Sequence, residues 1–323
     1  MTEPTTTLPR PAIGTPTGRP RARRRNSLRP VWDEQPSRPG SLAKAIVLIA
    51  VVLAILFPLY TIVLTSFSTH QASVNAGGLV IVPRGLTAAA YVQILSGGVV
   101  TRAALVSVGV TAVGTTLSTA VSVMAAYGLS KPNSFGHRVI LFVFLITMFF
   151  GAGMIPTYLL VSKLGMINSY WSLILPGAVS AFNVLILRNF FMGIDQSIIE
   201  AARMDGAGEW RILGRIVLPM SGAVVAVVAL FYGVGYFNAF FNAMLYINDN
   251  SKWPLQLVLR SYVLQGANLP GGASATDTHA SGVVAGMPVK MAVMTLALVP
   301  ILIVYPFVQR HFTKGVIFGA IKG

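Results

Sequence analysis

Four carboxylates, Asp195, Glu200, Asp205 and Glu209, fall within one short polar stretch. Grouped carboxylates can carry acid–base chemistry when their environments drive their pKa values apart. Here they alternate with helix-forming residues and read as the solvated faces of short surface helices. The histidines, His70, His137, His279 and His311, stand far apart and match no metal-ligand spacing. The chain has no cysteine, so disulfides and thiolate metal sites are excluded. No G-x-x-x-x-G-K-[ST] run occurs, so the chain is not expected to bind ATP itself.

The same stretch has a conformational logic. Ser197-Ile198-Ile199-Glu200 has the form of a capping box, which predicts a helix start. Ala201, Ala202 and Arg203 favour its continuation. Gly206 can end it in a left-handed conformation. A second helix is expected from Gly208 or Glu209, with Glu209 favoured in its first turn by the helix dipole. Trp210, Leu213 and Val217 recur as one apolar stripe, and Pro219 suits the first turn of the next span. The expected product is a helix–turn–helix exposing Ala201, Ala202, Gly206 and Ala207, small residues that let another protein approach closely. An interfacial linker lying on lipid headgroups is the competing reading.

The elements that position this stretch belong to a membrane. The 323 residues are 54% hydrophobic and only 10% charged, against about 25% charged in soluble domains. Mean hydropathy is +0.71. Uncharged runs cover Ala45–Thr69, Ala103–Ser130, Val139–Ser162, Leu164–Leu187, Ile216–Asn248 and Met291–Gln309. A span needs about 20 apolar residues, so the runs predict an all-α polytopic protein with six transmembrane helices. The organisation expected is a disordered basic tail over 1–40, a six-helix transmembrane domain over 41–310 and a tail over 311–323. Within the domain the polar loop occupies about 194–218, and a long Gly/Ala/Ser/Thr-rich outer loop occupies about 249–288.

The net charge of +15 could suggest nucleic acid. No aromatic-basic recognition module follows the basic tail, which argues against that class. With the N-terminus inside, 18 of 24 Lys and Arg fall on inside segments, so both ends are expected in the cytoplasm. The second run is rich in Ser, Thr, Gly and Ala and is expected to pack inside the bundle. Pro58 and Pro176 predict local kinks.

The loop is also recognisable. Glu200-Ala201-Ala202 to Gly206-Ala207, closing on Ile216-Val217-Leu218-Pro219, resembles the EAA loop of binding-protein-dependent ABC transporter permeases. Asp205-Gly206 is similar to the carbohydrate-uptake, maltose-type branch. Gly165 to Pro176, Pro254-Leu255-Gln256, Tyr305-Pro306-Phe307 and the Lys314–Gly323 tail resemble its shorter subunit. The chain departs from the family where Asp195 stands for a frequent Pro and Gly208 for a frequent Ser or Asn. The resemblance implies a bacterial inner-membrane permease that moves a sugar or oligosaccharide. Glu200, Ala201, Ala202, Asp205, Gly206 and Ala207 would form the coupling helix. The partners implied are a second related permease, two cytoplasmic ATPase subunits holding ATP and Mg, and an extracytoplasmic solute-binding protein that meets Gly266–Gly286.

Sugars are held by aromatic faces and hydrogen-bonding side chains. In the fifth run, Tyr232 and Tyr236 are four apart, as are Asn238 and Asn242, and each pair is expected to share a helix face. These four are the candidate path residues; interhelical glue is the competing reading. Two rival functions are a peptide permease, against which Asp205-Gly206 speaks, and an ion-coupled secondary transporter. The latter needs intramembrane ion ligands, and no Asp or Glu lies in the six runs. A non-transporting membrane scaffold is a further rival.

Overall fold

In hydrocarbon every backbone N–H and C=O needs a partner within the protein, which favours helices wherever the chain is apolar. The computed structural model describes residues 38–96, 98–132, 134–265 and 286–320, and they form helices joined by turns. The one sheet-like pairing among the described residues is a bridge between Ser68 and Leu86. Almost all of the basic tail, the outer-loop stretch 266–285 and residues 321–323 lie outside the described residues.

The chain divides into two units, one ending at Ile55 and one beginning at Leu56. The boundary falls within α1 (Arg38–Ser66). Before it, Leu42, Ile46, Leu53 and Ile55 are all exposed on an apolar helix, a surface suited to lipid. Pro58 lies inside α1 without ending it, and the Thr61 hydroxyl donates to Pro58 O at 2.9 Å.

The second unit continues through α2 (His70–Asn75), α3 (Ala89–Ser96) and α4 (Val99–Leu129). The buried residues of α4 include Ala103, Ser107, Val110, Gly114, Ser118, Ser122 and Ala126, a three-and-four spacing that marks one face. Its other side exposes Leu105, Val108 and Val113. The second run therefore packs inward along one face only. Next come α5 (His137–Phe149) and α6 (Met154–Lys163), bent by 118°. The third run, Val139–Ser162, is thus not one straight span: Gly151-Ala152-Gly153, with φ +79° at Gly153, breaks it.

α7 (Trp171–Ile174) runs into a 3₁₀ turn, Leu175–Gly177, and α8 (Ala181–Met192) follows after a 51° bend. The kink expected at Pro176 is present. After α9 (Gln196–Met204) and α10 (Glu209–Ile212) come a π-helical turn, Leu213–Val217, and α11 (Leu218–Met220). α12 (Gly222–Phe237) starts only after an 86° bend, with Pro219 in the helix before it. α13 (Phe240–Tyr246), α14 (Leu255–Gln265) and α15 (Met287–Ala320) complete the order.

Among the described residues, α1 and α4 can each cross a membrane unbroken by length and composition, and up to five spans result if each bent pair is one. The sixth run lies in α15, and Met287–Ile303 within it is a further apolar helical stretch. The main core joins α4, α8, the α9–α11 segment and α12 through Ala126, Val184, Leu187, Ile212, Val217 and Val228, all at 0–1% exposure. Fully burying one such side chain contributes about 1.5–3 kcal/mol in water. Within lipid, close fit between helices replaces that drive.

Candidate functional site

The helix–turn–helix forms where the sequence places it. α9 starts one residue before Ser197 because Asp195 is the N-cap: its Oδ1 accepts from Ser197 N at 3.0 Å. The capping-box start at Ser197 is corrected accordingly; a cap carboxylate at the family's Pro position satisfies the free amide directly. Gly206 has φ +75°. Gly206 N donates to Arg203 O at 3.0 Å and Ala207 N to Ala202 O at 2.9 Å. That is the Schellman arrangement, which closes the free carbonyls at the end of α9.

Exposure within the loop differs from expectation. Glu200, Ala201, Asp205 and Gly206 are exposed, but Ala202 and Ala207 are half-buried and pack on the core. The apolar stripe is also re-phased. Ile212, Leu213 and Val217 are buried, whereas Trp210 is 75% exposed. The π turn at Leu213–Val217 shifts the register that an α-helical spacing predicts. Met204, at 89%, joins Trp210 as a second large apolar side chain on the loop surface.

The sequence presents Glu209 as a solvated acid, but the structure surrounds it with donors. Its Oε2 accepts from the Tyr127 phenol at 2.6 Å and from the Lys131 ammonium. Its Oε1 accepts from Arg203 Nη2 at 3.1 Å. The Lys131 and Tyr127 hydrogen bonds, with the charges of Lys131 and Arg203, hold the carboxyl down to about 2 against a partial desolvation cost. Lys131 also sits 4.2 Å over the Tyr127 ring. Only a fold that brings the end of α4 to the start of α10 reveals the contacts with Lys131 and Tyr127, which are 78 and 82 residues away.

The candidate path residues separate into two groups. Tyr232 and Tyr236 share a face of α12 and are buried, with their rings 6.5 Å apart. The Tyr236 hydroxyl donates to Ile174 O at 3.0 Å and lies 2.6 Å from Ser118 Oγ. The Tyr232 hydroxyl accepts from Ser180 N at 2.9 Å and lies 2.6 Å from Ser122 Oγ. Ile174 and Ser180 flank the break between α7 and α8, so the two tyrosines satisfy backbone groups that the broken span frees. Gly114 makes room for them: a β-carbon there would stand 2.8 Å from Tyr236 Cε2.

The asparagines do not share a helix face. α12 ends at Asn238, its cap, and α13 begins at Phe240, so the four-residue spacing spans a break. Asn238 is exposed, while Asn242 lines a cavity of about 440 Å³ with Tyr232, Tyr236, Phe182, Asn183 and Phe231. The cavity wall combines aromatic surface with amide and hydroxyl groups. Elsewhere, Asn168, at φ +63°, accepts from Asp249 N through Oδ1 at 3.1 Å and from Lys252 Nζ through its carbonyl at 3.0 Å. It clasps the turn before α7 to the turn before α14; sequence spacing carried no signal of that contact.

Bent apolar helices surround a largely aromatic cavity that carries a few amide groups, and a structured polar loop joins two of them, an arrangement suited to a membrane-embedded transport subunit. Binding-protein-dependent transport system inner membrane components match over residues 118–318, and the chain belongs to that family. It is 40% identical over 266 residues to the polygalacturonan/rhamnogalacturonan transport system permease protein YtcP of Bacillus subtilis, covering 82% of this chain and 92% of that one. Protein LplC of the same organism is 40% identical over 83% of this chain and 90% of its own length. The arabinooligosaccharides transport system permease protein AraQ of Halalkalibacterium halodurans is 30% identical, over 83% and 91%. Among solved structures, a bacterial ABC transporter involved in the import of the acidic polysaccharide alginate superposes with TM-score 0.80 at 30% identity. That match covers 86% of this chain and 99% of the other.

Proposed function

We propose that this chain is the permease subunit of an ABC importer for a sugar or oligosaccharide. The observation that carries the reading is the 40% identity, across most of both chains, to a permease named for polygalacturonan and rhamnogalacturonan transport. The cavity supports it chemically: the Phe182 and Phe231 rings offer stacking faces, and Asn183 and Asn242 offer amides for hydroxyl groups. In this reading Tyr232 and Tyr236 shape the cavity by holding the α7–α8 break, and Asn238 stands outside it.

Residues 194–218 serve as the coupling loop, with Glu200, Ala201, Ala202, Asp205, Gly206 and Ala207 at the surface that meets an ATPase. ATP and Mg belong to that ATPase, which is present as a pair. A second, related permease completes the membrane portion, and both termini lie in the cytoplasm. The 249–288 connection lies on the outer face and meets the solute-binding protein.

Co-purification tests the assembly. The chain should bring down a related permease, an ATPase and a binding protein, and the binding protein should carry an oligosaccharide detected by mass spectrometry. A peptide in the binding protein, or a complex with no ATPase, would overturn the reading.

A further inference from the structure

We propose that Glu209 is a joint, tying the coupling loop to the end of α4 so that the two move together. This rests on the reading of residues 194–218 as the coupling loop and names the residues that pass its motion on. The loop is joined to the membrane domain covalently at both ends, from α8 through Gly193-Ile194-Asp195 and through α11 into α12, where the chain turns by 86° at Ser221. A turn at each end can act as a swivel, so the covalent joins need not by themselves carry a push into the bundle. A non-covalent join to α4 is made by the Glu209 carboxylate. It holds Tyr127 at 2.6 Å and Lys131, at and just past the end of α4, while Arg203 of α9 holds its other oxygen at 3.1 Å. One carboxylate thus joins both loop helices to one span.

A solitary surface ion pair contributes about 0–1 kcal/mol and would transmit little. This cluster differs in its number of donors, although the Glu209 side chain is itself 51% exposed. Three donors converge on one carboxylate, one of them the phenol of a residue only 8% exposed. Lys131 is further fixed over the Tyr127 ring. The carboxyl also stays ionised throughout the physiological range, so the tie persists.

α4 in turn reaches the cavity. Ser122 lies five residues before Tyr127, about 7 Å along the helix, and Ser118 one turn further. Their hydroxyls meet Tyr232 and Tyr236, the tyrosines that hold Ser180 N and Ile174 O on either side of the α7–α8 break. A displacement of the loop therefore has an unbroken line of contacts to the cavity wall. Buried Ile199, Ile212, Leu213 and Val217 seat the loop in the same core as Tyr127 and pass displacement by close packing, and the carboxylate adds a polar tie at one defined point. Glu209 is a positioning residue in this scheme and touches no transported solute.

The chain has no cysteine, which makes a single reporter thiol clean. Asn242→Cys places one in the cavity wall of the full complex with cysteine-free partner subunits. Its labelling rate with a water-soluble maleimide is compared without nucleotide and after trapping with Mg-ATP and vanadate. With Glu209 intact the rate should change at least fivefold. Glu209→Gln should reduce that change below twofold while the ATPase stays bound, and Lys131→Arg, which keeps the charge, should preserve it. A full response in Glu209→Gln would overturn the joint, and so would loss of the ATPase, which would make Glu209 a docking residue. No nucleotide response with Glu209 intact would instead overturn the coupling reading beneath it.

Discussion

Replacing Gly206 separates backbone conformation from contact. Its φ is +75°, and among the described residues, its two chain neighbours aside, nothing lies within 4 Å of where a β-carbon would stand. Alanine there meets no neighbour, so its penalty within this subunit is conformational, about 1–2 kcal/mol. The alternative is to leave positive φ, which breaks Gly206 N to Arg203 O and Ala207 N to Ala202 O. Each such bond contributes roughly 0.5–1.5 kcal/mol, so strain and rearrangement are of similar size. A penalty of 1–2 kcal/mol shifts the population of the native turn roughly 5–30-fold. Asparagine tolerates left-handed backbone better than other L-residues, and valine resists it most. Solute transported per ATP in proteoliposomes should therefore fall in the order Gly206, Gly206→Asn, Gly206→Ala, Gly206→Val, with membrane insertion unchanged. Wild-type uptake by well-folded Gly206→Val would refute the coupling role. Equal loss in Asn and Val would refute the conformational argument and point to steric contact with the ATPase.

Gly114→Ala should lower the melting temperature in detergent, because its β-carbon would overlap the Tyr236 ring and overpacking costs about 1–3 kcal/mol. Gly109→Ala on the same helix meets nothing within 4 Å and should not lower it. Tyr236→Phe should destabilise by about 1–3 kcal/mol by removing the donor to Ile174 O, measured by the same melts. The Glu209 carboxyl lies at about 2 folded against 4.5 ordinarily, so the folded protein binds fewer protons there. Its contribution is then complete above pH 4.5 and fades as pH falls toward 2, so the ratio of thiol-labelling rates with and without nucleotide, which cancels the thiol's own ionisation, should be flat from about pH 5.5 to 8. Reporter fusions after Gly78 should read outside and fusions at Lys131 inside; the reverse would overturn the orientation.

The turn at Gly206 was legible because it depends on a local rule: a helix that must stop, and a residue free to take positive φ. The buried face of α4 and the kink at Pro176 followed from residue size and from proline in the same local way. What escaped reading depends on departures from regular helix or on distant parts of the chain. The π turn moved Trp210 off the stripe, and Gly153 folded the third run back on itself. The break at Asn238–Ala239 parted two asparagines that ideal spacing aligned. Asp195 took the cap that Ser197 seemed to offer because it lies nearer the first free amide. The joins made by Glu209 and Asn168 link segments about 80 residues apart, and no local pattern encodes them.

In the proposed reading, the subunit's role is to line an ATP-driven path for oligosaccharides. Its most direct measurement is uptake of radiolabelled trigalacturonate and maltotriose into proteoliposomes holding the purified complex. With the binding protein on the outside and ATP sealed within, at least one of the two should accumulate, and uptake should stop when ATP is replaced by a non-hydrolysable analogue. Accumulation that follows an imposed proton or sodium gradient and ignores ATP would contradict the account.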